Sequence, residues 1–261
     1  MAAETSQHEK SRRSATDILL LVKETAREEL GRPTLKLAYS GMAGGLVMGL
    51  TPLGVAALGA YVANKPTALV LYPLGFIAVI IGRMHLFTEN TLHPVVFVLS
   101  ERDRLFDAAR LWTTVWISNV IGTLVFGLLA IRTGGLHGEF TDQISRFGTE
   151  AVQGSFAQLF WGAVIAGWLV ALAAWLTSAS HWTIGQIAAI WLLTFPIGLL
   201  KIPHSIAGSA EILSAVVAGS VSVGQYAYWM SAATLGNAAG GVLIVAVLNW
   251  AQASNNDAGA S

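Results

Sequence analysis

Six long apolar stretches separated by short polar ones occupy most of the chain, at roughly 36–63, 67–99, 107–131, 155–178, 184–220 and 230–250. A membrane-spanning helix needs about 20 mostly apolar residues. The pattern therefore predicts an all-α integral membrane domain of six transmembrane helices over 36–250. The second and fifth stretches are too long for one straight crossing, and both are interrupted. The second breaks at HLFTENTLHP (85–94), which carries Glu89 and ends at Pro94. The fifth breaks at PIGLLKIPHSIAGS (196–209), with Pro196, Gly198, Pro203 and Gly208. Proline removes a backbone donor and clashes with the preceding turn, and glycine tolerates non-helical backbone.

The interruptions hold matching places, each in the second helix of three. An odd number of helices per half gives the halves opposite orientations, so two inverted three-helix repeats are predicted, with the second and fifth helices broken. Broken helices at matching positions of inverted repeats point to a transport site. Irregular backbone at membrane depth persists only inside protein or along a watery cavity.

Ahead of the apolar stretches, residues 15–32 intersperse Ile18, Leu19, Val22 and Leu30 with Lys23, Glu24, Arg27, Glu28 and Glu29. This reads as an amphipathic helix, lying on the membrane surface or packed on the core. Residues 1–35 are expected to form a cytoplasmic tail containing that helix, with disorder over 1–14, and 251–261 a disordered C-terminal tail. Cations set the orientation. Lys10, Arg12, Arg13, Lys23, Arg27, Arg32 and Lys36 precede the first stretch, and Arg102, Arg104 and Arg110 share their side. The other side has Lys65, Arg132 and Arg146. Both termini are expected in the cytoplasm, with the protein in the cell (inner) membrane.

Composition agrees: 54% of the 261 residues are hydrophobic and only 11% charged, against about 25% charged in a soluble domain. A formal net charge of zero gives no case for a nucleic-acid partner, and the absence of cysteine excludes thiol chemistry and cysteine-held metal. No nucleophile or metal-ligand motif of recognisable spacing is present, so the reading is of a non-enzyme without cofactor or metal. Gly41, Gly45 and Gly49, and later Gly236 and Gly240, recur at every fourth position. Small residues at that spacing let helix backbones approach, within one protomer or between protomers.

Polar groups inside apolar stretches are costly and usually functional. Here they gather at the breaks: Arg83, His85, Glu89 and His93 at the first, Lys201, His204 and Glu211 at the second. His204 is the leading pore candidate, since an imidazole can donate a hydrogen bond to an anion. Thr88 could add a hydroxyl, and Phe87 could constrict the pore or belong to the core. Lys201 could draw anions to a pore mouth or reach for headgroups. Glu89 and Glu211 are expected to pair with Arg83, Lys201 or backbone donors. Asn119 and Asn237, in the third and sixth helices, could cross-link helices or line the pore.

At these residues the chain resembles the formate/nitrite transporter family. GRMHLFT (82–88), HSIAG (204–208) and TLGNAAGG (234–241) are similar to its motifs, in order, over about residues 36–250. TENTL and HSIAGSAE look most like its YfdC-type branch. The resemblance implies an aquaporin-like protomer, a homopentamer with one pore per protomer, a central site of Thr88 and His204, Phe87 near a constriction and Asn237 as a pore-lining amide. His85 and Pro203 stand where the well-studied members carry acids, Gly167 and Gly208 where amides are expected, and Glu89 where a neutral residue is usual. The expected function is passage of a small monovalent weak-acid anion, formate- or nitrite-like, with a proton or as the acid. The alternatives are a neutral-solute channel on the same fold and a non-conducting membrane sensor or scaffold.

Overall fold

A computed structural model describes residues 13–62, 64–101 and 104–254. The N-terminal tail up to residue 12, with Lys10 and Arg12, lies outside the described residues, as do Arg102 and the C-terminal tail from 255. All regular structure among the described residues is helical.

Helix α1 (Ala15–Leu30) opens with a reciprocal cap: the Ser14 hydroxyl accepts from the Asp17 N–H, and the Asp17 carboxylate accepts from the Ser14 N–H. That arrangement satisfies two donors that a bare helix start leaves open. It also holds the Asp17 carboxyl below its usual range, chiefly through the Ser14 backbone bond. The apolar side of α1 (Ile18, Leu19, Val22, Ala26 and Leu30) is buried.

Helices α2 (Thr34–Met48) and α3 (Leu50–Gly59) run on as one apolar rod. A short helix α4 (Lys65–Ala68), a 3-10 turn (Leu69–Leu71) and α5 (Leu74–Ile81) follow. The chain then leaves helical geometry until a 3-10 turn at Glu89–Thr91, and α6 (His93–Glu101) resumes. Pro94 sits in the first turn of α6, where its missing N–H costs nothing, so it starts this helix rather than ending the previous one.

Helix α7 (Leu105–Arg132) is the long third element, followed by α8 (Gly138–Ala151) and α9 (Phe156–Ala179). Helix α10 (Thr183–Leu199) contains Pro196, and α11 (Ser205–Ala218) follows after five non-helical residues. The last element comprises α12 (Val223–Ala239), a π-helical stretch (Gly240–Ala246) and α13 (Val247–Ser254). It begins earlier than expected from hydropathy because Gln225, Tyr226 and Tyr228 dilute its first two turns. Helices α9 and α12 open with the same Ser-x-x-Gln reciprocal cap, Ser155 with Gln158 and Ser222 with Gln225. Among the described residues, four elements are long and apolar enough to cross a membrane: Thr34–Gly59, Leu105–Arg132, Phe156–Ala179 and Val223–Ala253. The two interrupted elements consist of shorter apolar helices.

Two helix seams organise the molecule, α2 against α7 and α9 against α12. The glycine rows explain their closeness. A Cβ on Gly45 would fall on the Asn119 backbone, and one on Gly122 on the Met42 carbonyl. In the second seam, a Cβ on Gly167 would fall on the Asn237 backbone, and one on Gly240 on the Val164 carbonyl. Gly41, Gly49 and Gly236 likewise face neighbouring helices of the same chain. The rows thus pack within the protomer.

Candidate functional site

Each break opens at the end of a helix in the same way. Arg83 and Lys201 both adopt left-handed backbone at φ 53°. After α5, the Arg83 N–H donates to the Ile80 carbonyl and the Met84 N–H to Val79. After α10, the Lys201 N–H donates to Gly198 and the Ile202 N–H to Ile197. These are Schellman closures, in which glycine normally occupies the left-handed residue. A basic side chain stands there in both.

One asparagine then fixes each broken segment. Asn119 Nδ2 donates to the carbonyls of Gly41 (2.7 Å) and His85 (2.9 Å), while its Oδ1 accepts from the Phe87 N–H (2.9 Å). Asn237 Nδ2 donates to the carbonyls of Ala163 (2.8 Å) and Pro203 (3.1 Å), and its Oδ1 accepts from the Ser205 N–H (2.7 Å). Both amides are fully buried. They supply the backbone partners that the non-helical segments lack, as buried peptide groups require. The bond pattern of Asn237 is that of a clamp on the second break.

Where the held segments meet, Thr88 Oγ1 lies 2.8 Å from His204 Nε2. Thr88 is 0% and His204 1% exposed. His204 caps the start of α11, its Nδ1 accepting from the Ala207 N–H at 3.1 Å. An imidazole accepting at Nδ1 carries its proton on Nε2 when neutral. Nε2–H therefore donates to Thr88 Oγ1, and the Thr88 hydroxyl proton is left to donate onward. Phe76 meets the His204 ring edge-on at 4.8 Å between centroids. Phe87 is buried and meets Trp112 edge-on at 6.0 Å.

A cavity of ≈ 640 Å³ reaches His204 from one side, bordered by residues of α8 and of the second break. Lys201 and Glu150 pair across its border at 2.8 Å, both well exposed (74% and 55% of their side chains). The expected pairing of Lys201 with Glu211 is thereby corrected. Helix α8, which carries Glu150, is absent from the six expected stretches, because its polar sequence has no long apolar run to reveal it. Glu211 lines the cavity, and among the described residues neither it nor Glu89 belongs to an ion pair.

The side of Thr88 nearest α1 holds a different set. Glu29 of α1 reaches into the protein, with Oε2 at 3.5 Å from His93 Nδ1, and Arg32 approaches His85 Nε2 at 3.4 Å. Burial alone would raise the Glu29 carboxyl, but the charges of His93, His85 and Arg32 bring it below its usual range. His85 thus lies next to Arg32.

The profile of the formate/nitrite transporter family matches residues 16–251. The chain is 30% identical over 242 residues to the inner membrane protein YfdC of Escherichia coli (strain K12), covering 90% of this chain and 77% of that one. It is 31% identical over 199 residues to a probable formate transporter of Methanothermobacter thermautotrophicus, covering 69% of this chain and 72% of the relative. Its fold matches that of an FNT family ion channel with a TM-score of 0.82 at 19% identity, over 91% of this chain and 99% of the other. It also matches a pentameric formate channel solved with formate bound, with a TM-score of 0.69 at 19% identity, over 84% and 97% of the two chains.

Proposed function

Because the chain belongs to the formate/nitrite transporter family, we propose that it is a membrane pore for a small monovalent weak acid, passed as the anion with a proton or as the neutral acid. Six crossings form two inverted three-helix repeats, the second and fifth crossings each built of two helices around a break. Both termini face the cytoplasm, the membrane is the inner membrane, and the assembly is a homopentamer with a pore in each protomer. The pentameric formate channel with the same fold supports that assembly.

The observation that carries this reading is the buried Thr88–His204 pair where the two breaks meet beside a cavity. An unpaired anion in an apolar constriction is very costly, so a group that crosses there must be neutral or well hydrogen-bonded. The pair offers a donor in a buried site: the Thr88 hydroxyl, oriented by the bond its oxygen accepts from the His204 Nε2–H. Lys201, at the cavity border, raises the local concentration of anions. Phe87 and Phe76 narrow the apolar wall around the pair. Asn237 and Asn119 position the pair without touching the permeant. Glu89 and His85 lie on the α1 side of the pore.

The test is flux into proteoliposomes at acidic and near-neutral pH, for formate, nitrite, acetate, lactate, hydrosulfide and glycerol. Weak-acid flux that rises at low pH is expected. Glycerol flux alone, independent of pH, would replace this reading with a neutral-solute channel, and no flux of any solute would replace it with a closed membrane scaffold.

A further inference from the structure

The cavity beside His204 holds two groups that the pore centre leaves unused. Glu211 follows His204 by seven residues on α11, and Gly208 lies between them; all three line the cavity. Positions i, i+4 and i+7 share one face of a helix, and seven residues rise roughly 10 Å along its axis. The carboxyl of Glu211 is thus carried on the wall that leads to the imidazole, about two turns from it. The basic residue nearest in sequence, Lys201, is engaged by Glu150.

Opposite Gly208 stands Trp229 of α12, 1% exposed and also on the cavity wall. Its ring fills the space a side chain at position 208 would need. Its indole Nε1–H has no hydrogen-bond partner among the described residues. A buried N–H without a partner costs about 1–3 kcal/mol, and an acceptor entering the cavity would relieve that.

We propose, building on the weak-acid reading above, that this cavity is a loading station. There, Glu211 protonates the entering anion and Trp229 holds it through the indole N–H. The step is a proton transfer: the Glu211 O–H bond breaks, an O–H bond forms on the anion, and the neutral acid moves on to Thr88 and His204. The carboxylate left behind takes its next proton from hydronium in the bulk solution, relayed by water at the cavity border. The other titratable or charged side chains facing this space are Tyr72, Arg146, Glu150, Lys201 and His204. Of these, Lys201 and Glu150 pair with each other at the border, and Arg146 is exposed on α8. Glu211 is the carboxyl of the inner wall. A loading station selects weak acids over anions of strong acids, which cannot accept the proton.

The experiment compares the full-length protein with Glu211→Gln and Trp229→Phe in proteoliposomes, using formate as probe and recording uptake together with internal pH. Formate uptake by the unaltered protein tests the pore reading, and the variants test the station. Glu211→Gln is expected to lower formate uptake about tenfold near neutral pH, a modest share of what a positioned acid contributes. That deficit should shrink at acidic pH, where bulk water supplies formic acid directly. Trp229→Phe should raise the half-saturating formate concentration about tenfold, the effect of losing one hydrogen bond to a charged group, with the pH profile unmoved. If the unaltered protein carries formate and Glu211→Gln reproduces its uptake at every pH, the station is overturned. Uptake reduced equally at all pH values would make Glu211 a packing group and overturn it as well. Unchanged half-saturation in Trp229→Phe would also overturn it.

Discussion

The two breaks in this chain are built alike and equipped differently. Arg83 matches Lys201, His85 matches Pro203, Phe87 matches Ser205 and Asn119 matches Asn237, all at one constant spacing. At that spacing the position of His204 is held by Leu86 in the first break, and the position of Thr88 by Ile206 in the second. The polar pair at the centre therefore takes one member from each break at unrelated positions. What repeats is the scaffold that keeps non-helical backbone satisfied, and what does not repeat is the chemistry. The flanks differ too. The second break borders a cavity beside α8, while the first lies near α1, whose buried Glu29 faces His93 of α6.

The scaffold half of that comparison breaks most severely at the asparagines. Asn119→Leu and Asn237→Leu each strand two buried backbone groups at a non-helical segment, at about 1–3 kcal/mol per group. Thermal unfolding in detergent should show both variants destabilised, by roughly 3–5 kcal/mol and to similar extents. A large effect at one and none at the other would refute the equivalence of the two clamps.

The chemical half is sharpened by His204→Ala against Leu86→Ala. Only the histidine variant should lower weak-acid flux sharply, by about a hundredfold, in the range of a positioned donor facing a developing charge. Leu86→Ala opens a core void and costs stability, roughly 2–5 kcal/mol, yet its flux per folded protein should stay near that of the unaltered protein. Equal loss in both would erase the distinction.

A smaller effect is expected at the left-handed residues. A non-glycine residue there costs about 1–2 kcal/mol, part of which glycine returns as backbone entropy. Arg83→Gly and Lys201→Gly should each raise stability by about 0.5–1 kcal/mol. Lys201→Gly should also weaken anion uptake at low ionic strength, an effect that fades with added salt as screening sets in. A stabilised variant with unchanged uptake would remove Lys201 from the transport path.

The smallest effect concerns α1. The Glu29 carboxyl is held below its ordinary range, so its contribution to docking α1 is complete above that range and is lost as pH falls through the depressed value. Amide hydrogen exchange over α1 should quicken only at strongly acidic pH, and Glu29→Gln should remove the pH dependence.

Hydropathy alone located three of the four long apolar elements closely and the later part of the fourth, because apolar runs of this length have few other physical outcomes. The non-helical residues at 82–88 and 200–204 fall in or beside the stretches where glycine and proline meet polar residues. The matching clamps were only half legible: Asn119 and Asn237 stood out as polar residues in apolar helices, but their bonds run to backbone atoms of Gly41 and Ala163, remote in sequence. The motif resemblance marked Thr88 and His204, yet the capping bond that fixes the imidazole tautomer belongs to local geometry. Helix α8 escaped because an amphipathic helix of fourteen residues resembles any polar loop when only long apolar runs are sought. The Lys201–Glu150 pair escaped with it.

The seams carry a mechanical consequence. Each break is tied by its asparagine to a carbonyl on a helix that is in backbone contact with the asparagine's own helix. The spacing between Thr88 and His204 is thus set by two crossings at which helix backbones touch, and widening it would require prying those helices apart. Movement would meet far less resistance at the cavity border, where Lys201 and Glu150 meet in solvent.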